Sequence, residues 1–168
     1  TSYPWSGQTS ITLNPRKNQE FSLNIRIPGW INNPVPGDLY TYINKTVSEP
    51  TILVNKKPVD YTINNGYASI KKVWKKGDVV NIDLPMEVRM VKSHDSVKDN
   101  QNRVALQYGP LVYCLEGKDN RENAWNMLMT NDPRFEVKFD KGFLGGVNII
   151  NFKANKIVPS ADGKSVAA

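Results

Sequence analysis

The chain has 168 residues, 39% of them hydrophobic and 23% charged, and its 22 basic and 16 acidic side chains leave a net charge of +6. That length suits a single domain with a buried core, and no apolar run approaches the ~18 residues of a membrane-spanning helix. A lone cysteine, Cys114, excludes an internal disulfide and leaves the redox compartment open.

The first residues, Thr1-Ser2-Tyr3-Pro4-Trp5, lack the charged start and apolar stretch of a secretion signal. There is no initiator Met, so the chain is expected to be processed or excised from something longer. With 11 Gly, 11 Pro and 19 Asn, the composition favours many corners over helices. Residues 9–13 read as a first strand. In Phe21-Ser22-Leu23-Asn24-Ile25-Arg26-Ile27 apolar and polar residues alternate, which gives one buried and one wet strand face; Pro28-Gly29 ends it. Residues 30–39, with Pro34 and Pro36, read as a long loop. Strands follow at 51–54, 59–63 and 67–73. They are joined by Asn55-Lys56-Lys57 and by Asn64-Asn65-Gly66, the latter suited to the positive φ of a tight hairpin. Lys71 to Lys76 is a run of basic residues that ends a strand and enters Lys76-Gly77-Asp78, as a solvated hairpin tip does.

Val80-Asn81-Ile82-Asp83-Leu84 alternates again, and a strand at 87–92 precedes a polar loop at 93–102. Residues 103–108 and 111–116 are strands separated by Gly109-Pro110. Residues 121–129 are the single helix candidate, capped by Asp119 or Asn120. Strands at 135–139 and 147–152 follow. Residues 159–168 read as a tail or the lead-in to a further strand. The whole predicts an all-β protein, a two-sheet antiparallel sandwich, jelly-roll-like, with little helix and one domain over 1–168. Its core is expected to hold Phe21, Leu23, Ile25, Ile27, Val80, Ile82, Leu84, Val104 and Leu106.

Catalytic chemistry is hard to find. One Cys and one His cannot build a zinc site from those residue types. His94 lies in a polar loop with no nucleophile elbow anywhere in the chain. Cys114 reads as a small hydrophobe within a strand. Glycoside hydrolysis needs two facing carboxylates, but Asp60, Asp78, Asp83, Asp119 and Asp132 sit at turns or wet faces, where solubility explains them. No glycine-rich loop precedes a helix, so phosphate cradling has no support. Asn44-Lys45-Thr46 is a glycosylation sequon that matters only in a eukaryotic secretory setting. No nucleic-acid motif accompanies the positive charge. Trp5 and Trp30, beside Tyr3 and Tyr40, are candidates either for a domain interface or for stacking on a sugar ring. Trp74 and Trp125 belong to the same weighing, in which core or interface burial comes first.

Four phrases in order carry a family resemblance: Tyr3-Pro4-Trp5-Ser6-Gly7; Phe21 through Pro28-Gly29-Trp30; Trp74-Lys75-Lys76-Gly77-Asp78 through Leu84-Pro85-Met86; and Val104-Ala105-Leu106-Gln107-Tyr108-Gly109-Pro110-Leu111-Val112-Tyr113. Together they resemble the β-sandwich region after the catalytic barrel in glycoside hydrolase family 127, the β-L-arabinofuranosidase family. The likeness covers residues 3–117 closely and 118–168 loosely. It implies an accessory domain of a bacterial glycoside hydrolase acting on arabinose-containing plant-type glycans. An (α/α)6 barrel outside this chain would carry a zinc-bound cysteine nucleophile, so no cofactor, metal ligand or catalytic residue is expected here. The implied partner is that barrel, with carbohydrate as an alternative through a self-standing binding module. Neither nucleic acid nor membrane is expected; a homodimer is compatible with the full-length protein, in periplasm or cytoplasm.

Overall fold

A computed structural model describes residues 2–31, 35, 37–44, 48–120, 124–159 and 165–167. The structure is 49% strand and 4% helix, and among the described residues every strand pair is antiparallel. Cα packing divides it into two compact units, Thr1–Tyr113 and Cys114–Ala168, where the sequence reading drew one domain.

In the first unit, β1 (Gln8–Leu13), β8 (Asp78–Asp83), β4 (Thr51–Val54) and β5 (Lys57–Pro58) form one sheet, in that order. A second sheet holds β2 (Gln19–Arg26), β7 (Tyr67–Trp74) and β6 (Thr62–Asn64). Period-two alternation places Ile25, Ala68, Ile70 and Trp74 of the second sheet in one buried cluster with Ile52, Val54, Val80 and Ile82 of the first. This shared apolar layer makes the pair a sandwich. Trp74 is wholly buried, its indole N–H donating to the Phe21 carbonyl at 3.0 Å.

Both hairpin readings hold. Asn55 and Lys56 take φ of 52° and 65° between Val54 and its partner Lys57. Asn65 and Gly66 take 48° and 77° between Asn64 and its partner Tyr67. These left-handed pairs match the twist of the strands they join. A third sheet runs β11 (Leu111–Tyr113), β10 (Val104–Tyr108), β9 (Val88–Ser93) and β3 (Tyr40–Tyr42). A 3-10 turn at Lys98–Asn100 lies in the expected loop before β10.

The second unit has β12 (Met127–Met129), β15 (Ala154–Pro159) and β16 (Ser165–Ala167) in one sheet, and the pair β13 (Glu136–Asp140) and β14 (Val147–Asn151). Phe135 and Phe152 meet edge to face, with ring centroids 5.7 Å apart.

Several expectations need correcting. Residues 127–129 of the expected helix are a strand paired with β15; residues 121–123 lie outside the described ones. Pro159 closes β15, and Ser165–Ala167 pairs back on it, so strand pairing reaches into the expected tail. β3 and β15 were not foreseen. Of residues 59–63 only the end is strand; Val59 and Tyr61 instead pack against the core, and the Tyr61 hydroxyl donates to the Pro50 carbonyl at 3.0 Å. Val104 is 38% exposed, because it opens its strand opposite the exposed Lys92. Phe21 and Leu23 are only half-buried, while the other expected core residues are buried. Cys114 falls just past the end of β11 and is exposed rather than core.

Candidate functional site

The four singled-out aromatics share no single site. Tyr3 is 43% exposed and Trp5 half-buried in the N-terminal turn, which closes through Trp5 N and Ser6 N donating to the Ser2 carbonyl. Trp30 packs partly against the sandwich core where β2 has ended, its indole N–H buried without a described partner. Tyr40 opens edge strand β3 and is 37% exposed. Among the other tryptophans, Trp74 is core and Trp125 lies 84% exposed in the second unit.

Among the described residues no three of His, Cys, Asp and Glu lie close enough to hold a metal ion. His94 is exposed, with Nδ1 accepting from Ser96 N. The Asn44 side chain of the sequon is committed to β9, donating to Val88 O and accepting from Met90 N; Lys45 and Thr46 lie outside the described residues. Asp60, Asp83, Asp119 and Asp132 are exposed, as expected. Asp78 is not: it is buried, and accepts from Asn55 Nδ2 at 2.8 Å and Lys75 N at 2.9 Å. The Asn55 bond, then the Lys75 backbone N–H, hold its carboxyl below its ordinary value; burial opposes them and the charges of Lys72 and Lys75 add to them. This carboxylate ties a turn together. Burial pushes the phenols of Tyr108 and Tyr113 up, and for Tyr113 the neighbouring Tyr108 adds to the rise.

The basic run is likewise structural. Lys71 pairs with Glu20 across the strands at 3.4 Å, and Lys72 lies 5.0 Å from the Trp74 ring centroid.

One concavity stands out. On the outer face of the first sheet, strand register aligns Gln8, Asp83 and Thr51 in one row, and Ser10, Asn81 and Leu53 in the next. Ser2 and Ser6 of the N-terminal turn wall one side, giving a groove of about 610 Å³. Asn81 Nδ2 donates to Ser10 Oγ at 3.3 Å, and Gln8 N to Ser6 Oγ at 3.2 Å. Among the described residues no Lys, Arg or His lines it. Sequence reasoning missed it, since these polar positions look like any wet strand face until register sets them side by side.

Residues 1–86 match the family model described as "Beta-L-arabinofuranosidase, GH127 middle domain", and residues 88–159 match the glycoside hydrolase family 127 C-terminal domain. A solved GH127 beta-arabinofuranosidase superposes on all of this chain with a TM-score of 0.91 and 38% identity, and the match covers 26% of that protein. A GH127 beta-L-arabinofuranosidase from Geobacillus stearothermophilus T6 gives 0.82 and 36%, over 99% of this chain and 24% of its own. A non-reducing end beta-L-arabinofuranosidase of Bifidobacterium longum subsp. longum is 28% identical over 162 residues, which are 92% of this chain and 22% of that protein. The chain thus spans about a quarter of the length of these relatives.

Proposed function

Because the chain belongs to glycoside hydrolase family 127, we propose that it is the non-catalytic accessory region of a hydrolase acting on arabinose-containing glycans, seated against that enzyme's catalytic barrel. One observation carries this reading: consecutive stretches match the family's middle and C-terminal domains, yet the chain spans only 22% of its curated relative. Zinc, where such an enzyme uses it, would be held outside this chain.

The docking contacts are drawn from the loop ends and the third sheet rather than the sandwich faces. Both outer faces of the sandwich are largely polar, carrying Glu20, Ser22, Asn24 and Arg26 on one sheet and Gln8, Ser10, Asn81 and Asp83 on the other. Trp5, Trp30, Tyr3 and Tyr40 are the aromatic groups we assign to a partner, in keeping with the partly polar contacts common between domains.

The test uses the full-length enzyme beside this chain. Tyr3→Ala and Tyr40→Ala should lower the thermal midpoint and arabinofuranosidase activity of the full-length protein, and leave the midpoint of the chain alone unchanged. Full-length variants that match the unsubstituted enzyme in both would defeat the assignment of this surface.

A further inference from the structure

We propose that the groove on the outer face of the first sheet is a binding site for a neutral oligosaccharide. It goes beyond the docking reading and does not depend on it.

Three observations carry the inference. The first is shape: the turn holding Ser2 and Ser6 stands beside the strands and leaves an open groove of about 610 Å³ along the sheet face. Ligand sites commonly fall between ~300 and ~1,000 Å³.

The second is charge. The chain carries 22 basic residues and a net charge of +6, yet no described cation lines the groove. A site for phosphate, nucleic acid or an acidic sugar needs the opposite. The polar groups present are hydroxyls, amides and one carboxylate, a mixture of donors and acceptors suited to a polyol.

The third is the contrast with the sandwich's other outer face. There the charged groups have partners: Lys71 pairs with Glu20, and Arg26 lies 5.5 Å from the Tyr67 ring centroid while donating to the carbonyls of Ile27 and Gly66. In the groove the Asp83 carboxylate has no described partner, and Asn81 uses its N–H on Ser10 while its Oδ1 stays available. Leu53, in the row of Ser10 and Asn81, adds an apolar surface for sugar C–H groups.

Nuclear magnetic resonance titration of the isotope-labelled chain tests the site, with arabinotriose as the probe and trigalacturonic acid as its anionic counterpart. Arabinotriose should saturably displace the side-chain amide signals of Gln8 and Asn81 and the backbone signals of Thr51 and Asp83. Asn81→Ala and Thr51→Val should each weaken binding by about tenfold, the loss of one or two hydrogen bonds, with the rest of the spectrum unchanged. Both substitutions lie on the outer face, so the spectrum also reports that the fold is intact. Trigalacturonic acid should bind more weakly. Absence of displacement by arabinotriose, displacement confined to residues outside the groove, or equal binding of the acidic sugar would each overturn the proposal. None of these outcomes bears on the Tyr3 and Tyr40 variants of the full-length enzyme, so the two readings fail separately.

Discussion

Asn55 and Asp78 join two turns of the first sheet through one side-chain pair. Asn55 Nδ2 donates to Asp78 Oδ1 at 2.8 Å, and Asn55 Oδ1 accepts from Val79 N at 2.9 Å. Asp78 also accepts from Lys75 N, so the β4–β5 hairpin and the entry to β8 share a fastening. Its carboxyl titrates below its ordinary value of 3.8 in the fold. A depressed folded pKa means that the stabilisation is complete above the unfolded value and is lost as pH falls through the folded one. The urea midpoint should therefore fall as the pH drops below 3.8. Asp78→Ala should cost about 1–3 kcal/mol at neutral pH, as a hydrogen-bonded charged group does, and flatten this acid limb. An acid limb as steep in the variant as in the unsubstituted chain would refute the assignment.

Burial separates two cross-strand neighbours, of which the sequence pointed to Leu23 alone as core. Ile70 is 1% exposed at the centre of the sandwich, while its cross-strand partner Leu23 is half-buried. Ile70→Ala should cost about 2–5 kcal/mol, with its cavity term in full. Leu23→Ala should cost less. Paired urea titrations read the order directly, and a larger loss at Leu23 would contradict this packing.

The strands that could be read from the sequence are those with one wet face and a sharp end, such as residues 21–27 closed by Pro28-Gly29. The hairpin turns were legible because Asn-Gly and Asn-Lys pairs fit the left-handed backbone found at residues 55–56 and 65–66. β3 and β12 were illegible: at three residues each they are too short to show a period, and pairing with β9 and β15 decides them. Asp78 looked like a solvated turn residue because nothing local reveals that Asn55, 23 positions away, reaches it. The four aromatics were found as residue types; their scatter over a turn, a loop end and an edge strand was not.

Gly66 resists a side chain chiefly through its backbone. Its φ is +77°, where L side chains are strained, and a Cβ there would also displace the Arg26 guanidinium that donates to the Gly66 carbonyl. Gly66→Ala should lose about 1–3 kcal/mol, the scale of one residue held in a sparsely populated conformation. Asn65→Gly in the same turn, also at positive φ, should be nearly neutral. Thermal melts of the two variants side by side check the asymmetry.

Arg89 fastens the segment after β2 to the third sheet. It is buried, donates to the Ile31 carbonyl, and its guanidinium carbon lies 4.9 Å from the Tyr42 ring centroid. Arg89→Ala would strip the wholly buried Ile31 of that donor and should cost about 1–3 kcal/mol. Arg89→Lys keeps the charge but loses the planar stack, so it should restore only part of the loss. Full recovery by lysine in chemical denaturation would count against the stacking geometry.

The last prediction concerns turnover. Hydrolysis of a glycoside by paired carboxylates requires them some ~5–10 Å apart across the bond, with one held protonated. The described acid with a depressed pKa, Asp78, is committed to Asn55 and Lys75 and pushed toward ionisation, the wrong direction for a general acid. Cys114 is exposed, and no described metal-holding cluster is available to activate it. The chain alone should therefore release no product from a chromogenic β-L-arabinofuranoside, with or without added zinc. Activity that survives purification and disappears on Asp83→Asn or Cys114→Ser would place a reaction centre in this chain after all.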